Sequence, residues 1–241
     1  NRLAVMVAEA LGARLSYTWW AQRRGFVRNA LKAGRCDVVM GVPAQLDMVE
    51  TTRPYYRSRY VFVTRADRHL DIRFLNDPRL RTLRIGVHLI GDDGFNTPPA
   101  HALGEEGIVG NVVGFPIYGD YREADPPARI VDAVIRGDID VAAVWGPLGG
   151  YFARHSPVPL RVDAIDGTEA FAPLLFAYDI AMGVRKGDDA LRDRLDGFIA
   201  AQGPRIRALL ESYGVPIAGS DSAAGPPPAP VTEGSHGDTA R

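Results

Sequence analysis

The chain has 241 residues, 46% of them hydrophobic, which is enough for the core of one large or two small domains and excludes disorder of the whole chain. Its 28 Lys+Arg and 29 Asp+Glu leave a formal net charge of -1 with no basic block of the kind a nucleic-acid groove requires, so nucleic acid is not expected as a partner. No apolar run approaches the roughly 20 residues that cross a bilayer, and no membrane insertion is expected.

Residues 1–11 place Leu3, Met6, Val7, Ala10 and Leu11 at helical spacing, with Gly12 as the C-terminal cap. A helix in this position normally packs back on a strand before it, which leads us to expect a strand, and a signal peptide ahead of it, outside this chain. Residues 14–20 (RLSYTWW) are rich in β-formers and are expected as a strand, which would turn Trp19 and Trp20 to opposite faces, one into the core and one to the surface. A short amphipathic helix with Phe26, Val27, Ala30 and Leu31 follows and stops at Gly34. Residues 36–41 (CDVVMG) form an apolar run of buried-strand type.

Residues 60–63 and 83–87 read as two further strands, separated by a polar stretch with Asn76, Asp77 and Pro78. The first crossing between two lobes is expected in that interval, at 66–81. Ile130, Ala133 and Val134 mark a helix ending at Gly137, and the strand IDVAAV follows at 139–144. The chain is expected to return at 175–177, before the strand IAMGV and two closing helices, 190–201 and 204–213. From Gly219 onward Gly, Pro, Ser and Ala dominate, so 219–241 is expected to be a disordered tail. The expected fold is therefore α/β and two-lobed, with mainly parallel sheets and a ligand cleft between the lobes. Residues 1–65 plus 178–218 would make lobe 1, and 82–174 lobe 2.

Four segments in this order, KAGRCDVVMGV, TTRPYYRSRYVFV, RGDIDVAAVWGP and DIAMGVRKGDDALRDRLDGFI, resemble those of the type II periplasmic solute-binding fold, across residues 1–217. More narrowly, YTWW, RCDVVMGVP, TTRPYYRS, GFPIYGDY and VAAVWGP together resemble the MxaJ/XoxJ proteins, solute-binding proteins that accompany pyrroloquinoline-quinone methanol dehydrogenases. The resemblance implies a periplasmic, monomeric protein with a quinoprotein methanol dehydrogenase as its partner. It also implies that Cys36, the only cysteine, forms a disulfide with a residue outside this chain, where the bland reading is a small buried thiol.

Amino-acid receptors of this fold grip the ligand carboxylate with an Arg shortly after the first-lobe strand, and its ammonium with an Asp ending a second-lobe strand. Here 41–50 reads GVPAQLDMVE without Arg or Lys, and the second position is Trp145. Losing two charge-assisted contacts, each worth about 1.5–3 kcal/mol, disfavours a free amino acid as ligand. Gly41, Val42 and Pro43 after the first-lobe strand, Tyr55 and Tyr56 after Pro54, and Trp145 and Gly146 are expected to line the cleft, one tyrosine facing it while the other packs in the lobe.

Aromatic and Arg side chains outside the core are the natural anchors of a docking surface, and the candidates are Trp19, Trp20, Arg57, Arg59, Tyr118 and Tyr121. The GDDG run at 91–94 and the acidic residues Asp120, Glu123 and Asp125 read as solvated loops. His69, His88, His101, His155 and His236 show no metal-binding spacing, and no hydrolase, phosphate-loop or dinucleotide motif is present, so neither metal, cofactor nor catalysis is expected. The leading expectation is an accessory protein of the dehydrogenase. The alternative is a receptor delivering a small non-amino-acid solute to an ABC permease, and an enzyme built on the same fold is a distant third.

Overall fold

In the computed structural model, which describes residues 1–20, 25–90, 96–117 and 126–218, helices and strands alternate along the chain. Helix α1, Arg2–Leu11, ends as Gly12 takes φ 61°, a left-handed conformation that glycine adopts without a Cβ penalty. A wide helical turn at Arg28–Lys32 buries Ala30 and Leu31. The strands β1 (Val39–Pro43), β2 (Glu50–Thr51), β3 (Tyr56–Arg65) and β4 (Ile85–Leu89) follow, then helix α2 (Pro98–Glu105) and strand β5 (Val112–Pro116). Helix α3 (Arg129–Arg136), strand β6 (Val141–Trp145), helix α4 (Gly146–Arg154), strands β7 (Leu160–Ala164) and β8 (Ala177–Val184), and helix α5 (Asp189–Ser212) complete the order.

The strands form one path, β1-β8-β3-β6-β4-β5, with β2 also on β8 and β7 also on β3. Strand β3 changes partners along its length. Its first half, Tyr56 to Arg59, pairs with β8, and its second half pairs with β6 and β7. The change falls between Arg59 and Tyr60, inside a continuous strand. The interval 66–81, expected to cross between lobes, instead sends Ile72, Leu75 and Leu80 into the core around Phe62. The chain comes back at Phe176, whose carbonyl accepts from the Tyr60 amide at 2.8 Å, and enters β8 at Ala177.

Only β6-β4-β5 is parallel; the other ladders among the described residues are antiparallel, which corrects the expectation of mainly parallel sheets. The reason is the crossing itself. Strands β3 and β8 carry the chain out and back side by side, so they must run in opposite directions.

Two-residue alternation divides the second-half core into two layers. Phe62, Val141 and Ala143 face one side with Ile85 and Leu103, whereas Val61, Val63, Ala142 and Val144 face the other with Ile130 and Val134 of α3. Burial of one such aliphatic or aromatic side chain contributes about 1.5–3 kcal/mol. Helix α3 and the segment leading from it into β6 lie so close to β4 that a Cβ on Gly86 would meet Ile139 Cδ1 at 2.5 Å and Ile130 Cγ1 at 3.1 Å. On the first-half sheet, α1 and α5 bring Val7, Leu195, Phe198, Ile199 and Ile206 onto Met182 and Val184 of β8.

Two further expectations are corrected. Residues 14–20 form no strand: Leu15, Tyr17, Trp19 and Trp20 are exposed, and the segment is held by Thr18 Oγ1 donating to the Arg35 carbonyl at 2.6 Å. Side chains that favour strands make one only where a neighbour supplies a ladder. The two closing helices are a single 24-residue helix with Pro204 inside it. Proline removes one backbone hydrogen bond there, but Phe198 and Ile199 before it and Ile206 after it are buried in the same cluster, which holds the helix together across the break. The expected tail at 219–241 lies outside the described residues, as do the GDDG loop and Asp120, Glu123 and Asp125.

Candidate functional site

Where β3 passes from one set of partners to the other, aromatic and charged side chains gather from three strands, β3, β6 and β8, and from the residues beside them. Tyr60 stands opposite Trp145, the last residue of β6, and Ser58 opposite Tyr178 of β8. The Tyr60 ring meets Trp145 at 5.5 Å between centroids and Phe176 at 6.1 Å, both edge-on, and Trp145 meets Tyr178 at 5.7 Å. Edge-to-face aromatic pairs in this distance range are favourable beyond the area they bury. Burial pushes the Tyr60 and Tyr178 hydroxyls above their ordinary pKa, so both rings stay neutral.

The cations at this crossing are already partnered. Arg57 Nη1 donates to Asp179 Oδ2 at 2.8 Å, and Arg59 Nη1 to Asp166 Oδ1 at 3.4 Å, while Arg73 Nε takes the other Asp166 oxygen at 2.9 Å. Neither Arg57 nor Arg59 is a free grip for a carboxylate. The crossing therefore offers neutral aromatic surface, suited to a planar or apolar group. Among the described residues no cluster of three or more His, Cys, Asp or Glu could hold a metal ion.

The residues expected in the cleft do not form one surface. Gly41 and Pro43 are exposed on β1, but Val42 between them is buried with Val27, Leu31 and Val49, because alternation on β1 turns it into the core. Tyr55 packs against the α5 core and donates its hydroxyl to the Met40 carbonyl at 2.6 Å. Tyr56 lies beside it, ring centroids 5.0 Å apart, with its hydroxyl pushed up to about 12 by burial. Gly146 is covered, not open: a Cβ there would meet the Arg59 carbonyl at 2.5 Å and Pro216 Cγ at 2.9 Å.

Of the docking candidates, Arg57 and Arg59 are tied down as described, and Tyr118 and Tyr121 lie outside the described residues. Trp19 is 76% exposed and stacks on Tyr17, with centroids 5.6 Å apart and planes at 20°. Trp20 is also exposed, and the Arg35 guanidinium sits 4.6 Å over its ring. Neither indole enters the core. Behind this segment a groove of about 570 Å³ runs between α1 and β1, lined among others by Leu3, Val7, Tyr17, Cys36 and Val38. Cys36 is half-buried, and burial, with Asp37 adding to it, pushes its thiol upward.

Sequence reasoning gave no role to His88. It is buried at the carboxyl end of β4, and Thr97 Oγ1 donates to its carbonyl at 2.8 Å. Burial pushes the imidazole down to about 4, partly offset by a hydrogen bond with the Pro127 backbone.

No protein-family model matches the chain. A curated relative, Protein MoxJ of Methylorubrum extorquens strain AM1, is 37% identical over 229 residues, covering 90% of this chain and 74% of its own length. The solved structure of the periplasmic binding protein XoxJ from Methylobacterium extorquens AM1 matches with a TM-score of 0.72 at 32% identity, over 90% of this chain and 89% of that one. MxaJ from Methlophaga aminisulfidivorans MPT matches in fold with a TM-score of 0.74 at 24% identity, over 90% and 91%. The mixed sheet with its exchanged strands is thus the two-lobed type II periplasmic-binding fold.

Proposed function

This chain belongs to the MoxJ family, and on that footing we propose that it is a periplasmic, non-catalytic accessory protein that docks on a quinoprotein methanol dehydrogenase and assists its maturation or activation. The observation that carries the docking reading is the exposed aromatic segment. Tyr17, Trp19 and Trp20 together expose ring surface that a folded chain ordinarily buries, and Trp and Tyr are the residues that most often anchor protein interfaces. Residues 41–50 hold no Arg or Lys and Trp145 stands where an amino-acid receptor has an Asp, while Arg57 and Arg59 are already paired, which leaves the surface as the carrier of function.

An uptake receptor is the second reading, and one observation favours it. The Tyr60–Trp145–Tyr178 cluster gathers neutral rings where β3 changes partners, and Arg57 Nε on the same strand is buried without a hydrogen-bond partner among the described residues. Such a receptor would take a neutral, flat solute. Co-purification separates the two readings. The accessory protein should elute with the dehydrogenase from periplasmic extract of a methanol-grown cell, and the receptor should elute alone with a bound small molecule.

A further inference from the structure

The segment after α5 does not end at lobe 1, to which the helix belongs. Gly214 takes φ 76° and closes the helix by donating to the Glu211 carbonyl at 2.9 Å, and Val215 donates to Leu210 at 3.1 Å. The chain then runs along β3. Ser58 Oγ, fully buried, donates to the Pro216 carbonyl at 2.6 Å, and the Ala218 amide donates to the Arg57 carbonyl at 2.9 Å.

The other side of the same segment rests on α4, whose Leu148 and Phe152 belong to the lobe 2 core. Here two backbones touch directly. A Cβ on Gly214 would lie 2.7 Å from the Gly150 carbonyl oxygen, and one on Gly150 would clash with the Gly214 carbonyl. Pro216 covers Gly146 and Gly150, its Cγ and Cδ lying 2.9 and 3.0 Å from where their Cβ atoms would be. Tyr213 stacks on Tyr151 at 6.0 Å with planes at 20°.

We propose that residues 213–218 are a clasp that fixes the angle between the lobes, so that the cleft works at one opening and does not close by a hinge motion. The proposal stands apart from the identity of the partner. A hinge about β3 and β8 would move α4 relative to α5, and the clasp is the one described contact outside those strands that holds the α5 end against α4 by backbone surface. Dispersion contacts at this range are lost within a fraction of an ångström to an ångström of separation, so a hinge rotation would break the Gly150–Gly214 and Tyr151–Tyr213 contacts together.

Paired spin labels at Glu9 in α1 and Glu105 in α2, both exposed, introduced as cysteines in a Cys36→Ser background, read the inter-lobe distance directly. The chain with an intact clasp should give one narrow distribution. Gly150→Ala forces the two backbones apart, and Ser58→Ala with Tyr213→Ala removes the hydrogen bond and the ring stack without adding bulk. Either should broaden the distribution or add a second population. If Gly150→Ala does not fold, the second variant decides. A broad distribution in the intact chain, or an unchanged narrow one in a folded clasp variant, would overturn the proposal.

Discussion

Trp145 lies edge-on against Tyr178, ring centroids 5.7 Å apart and planes at 70°, although β6 and β8 do not pair and β3 runs between them. The contact thus bridges two strands that pair with different halves of β3.

Its removal should be felt in stability. Trp145→Ala strips one ring from the contacts with both Tyr60 and Tyr178, and we expect a loss of about 2–3 kcal/mol, below the full range for a core indole because Trp145 is only half-buried. Trp145→Phe should cost less than half as much. Urea denaturation of the three proteins checks the order, and equal stability of all three would show that the rings merely lie near each other.

The paired arginines yield a second prediction. With Arg57 on Asp179 and Arg59 on Asp166, neither of these two cations, among the described residues, is left open for an α-carboxylate. Titration calorimetry with the common amino acids should show no binding tighter than roughly millimolar, the range left when two ionic contacts are taken from a micromolar site. A single micromolar ligand among them would refute this.

His88 predicts how stability depends on pH. The imidazole is held neutral in the fold down to about 4, whereas in the unfolded chain it takes up a proton near its ordinary 6.5. Below 6.5 the unfolded state therefore binds the extra proton, and stability is lost as pH falls through the window to about 4. The full effect is about 3 kcal/mol, of which about 2 should appear between about pH 7.5 and about pH 5. His88→Gln, which cannot titrate, should flatten the profile in that window. A wild-type profile no steeper than the variant's would contradict the burial argument.

How far the sequence revealed this structure depended on whether the deciding contact was local. Gly12 and Gly137 were legible as helix caps because a positive φ is a one-residue requirement, and the apolar run ending at Trp145 was legible as a strand because both its faces are buried. Helix α4 was not, since GPLGGYFAR carries three glycines that weaken any helical reading. Two of them, Gly146 and Gly150, are there because the segment around Gly214 and Pro216 lies on them, a contact between positions far apart in the chain. The unbroken run of β3 hid its change of partners from β8 to β6 and β7, which only the strand register reveals. For the site, the charges of Arg57 and Arg59 were visible but their partners Asp179 and Asp166 were not, and Val42 could be assigned a face only once the register of β1 on β8 was known.

The docking claim separates from stability at Trp19. Its side chain is 76% exposed and touches Tyr17, so Trp19→Ala should leave the melting temperature nearly unchanged. The same substitution should weaken partner binding by about 1 kcal/mol or more, the usual threshold for an interface anchor.

The most direct measurement is equilibrium binding of the full-length protein to a surface-immobilised quinoprotein methanol dehydrogenase carrying its metal and quinone, at low and at physiological salt. The accessory reading predicts a dissociation constant of roughly micromolar or tighter, raised about fivefold or more by Trp19→Ala. No detectable association at tens of micromolar under either salt condition would contradict it.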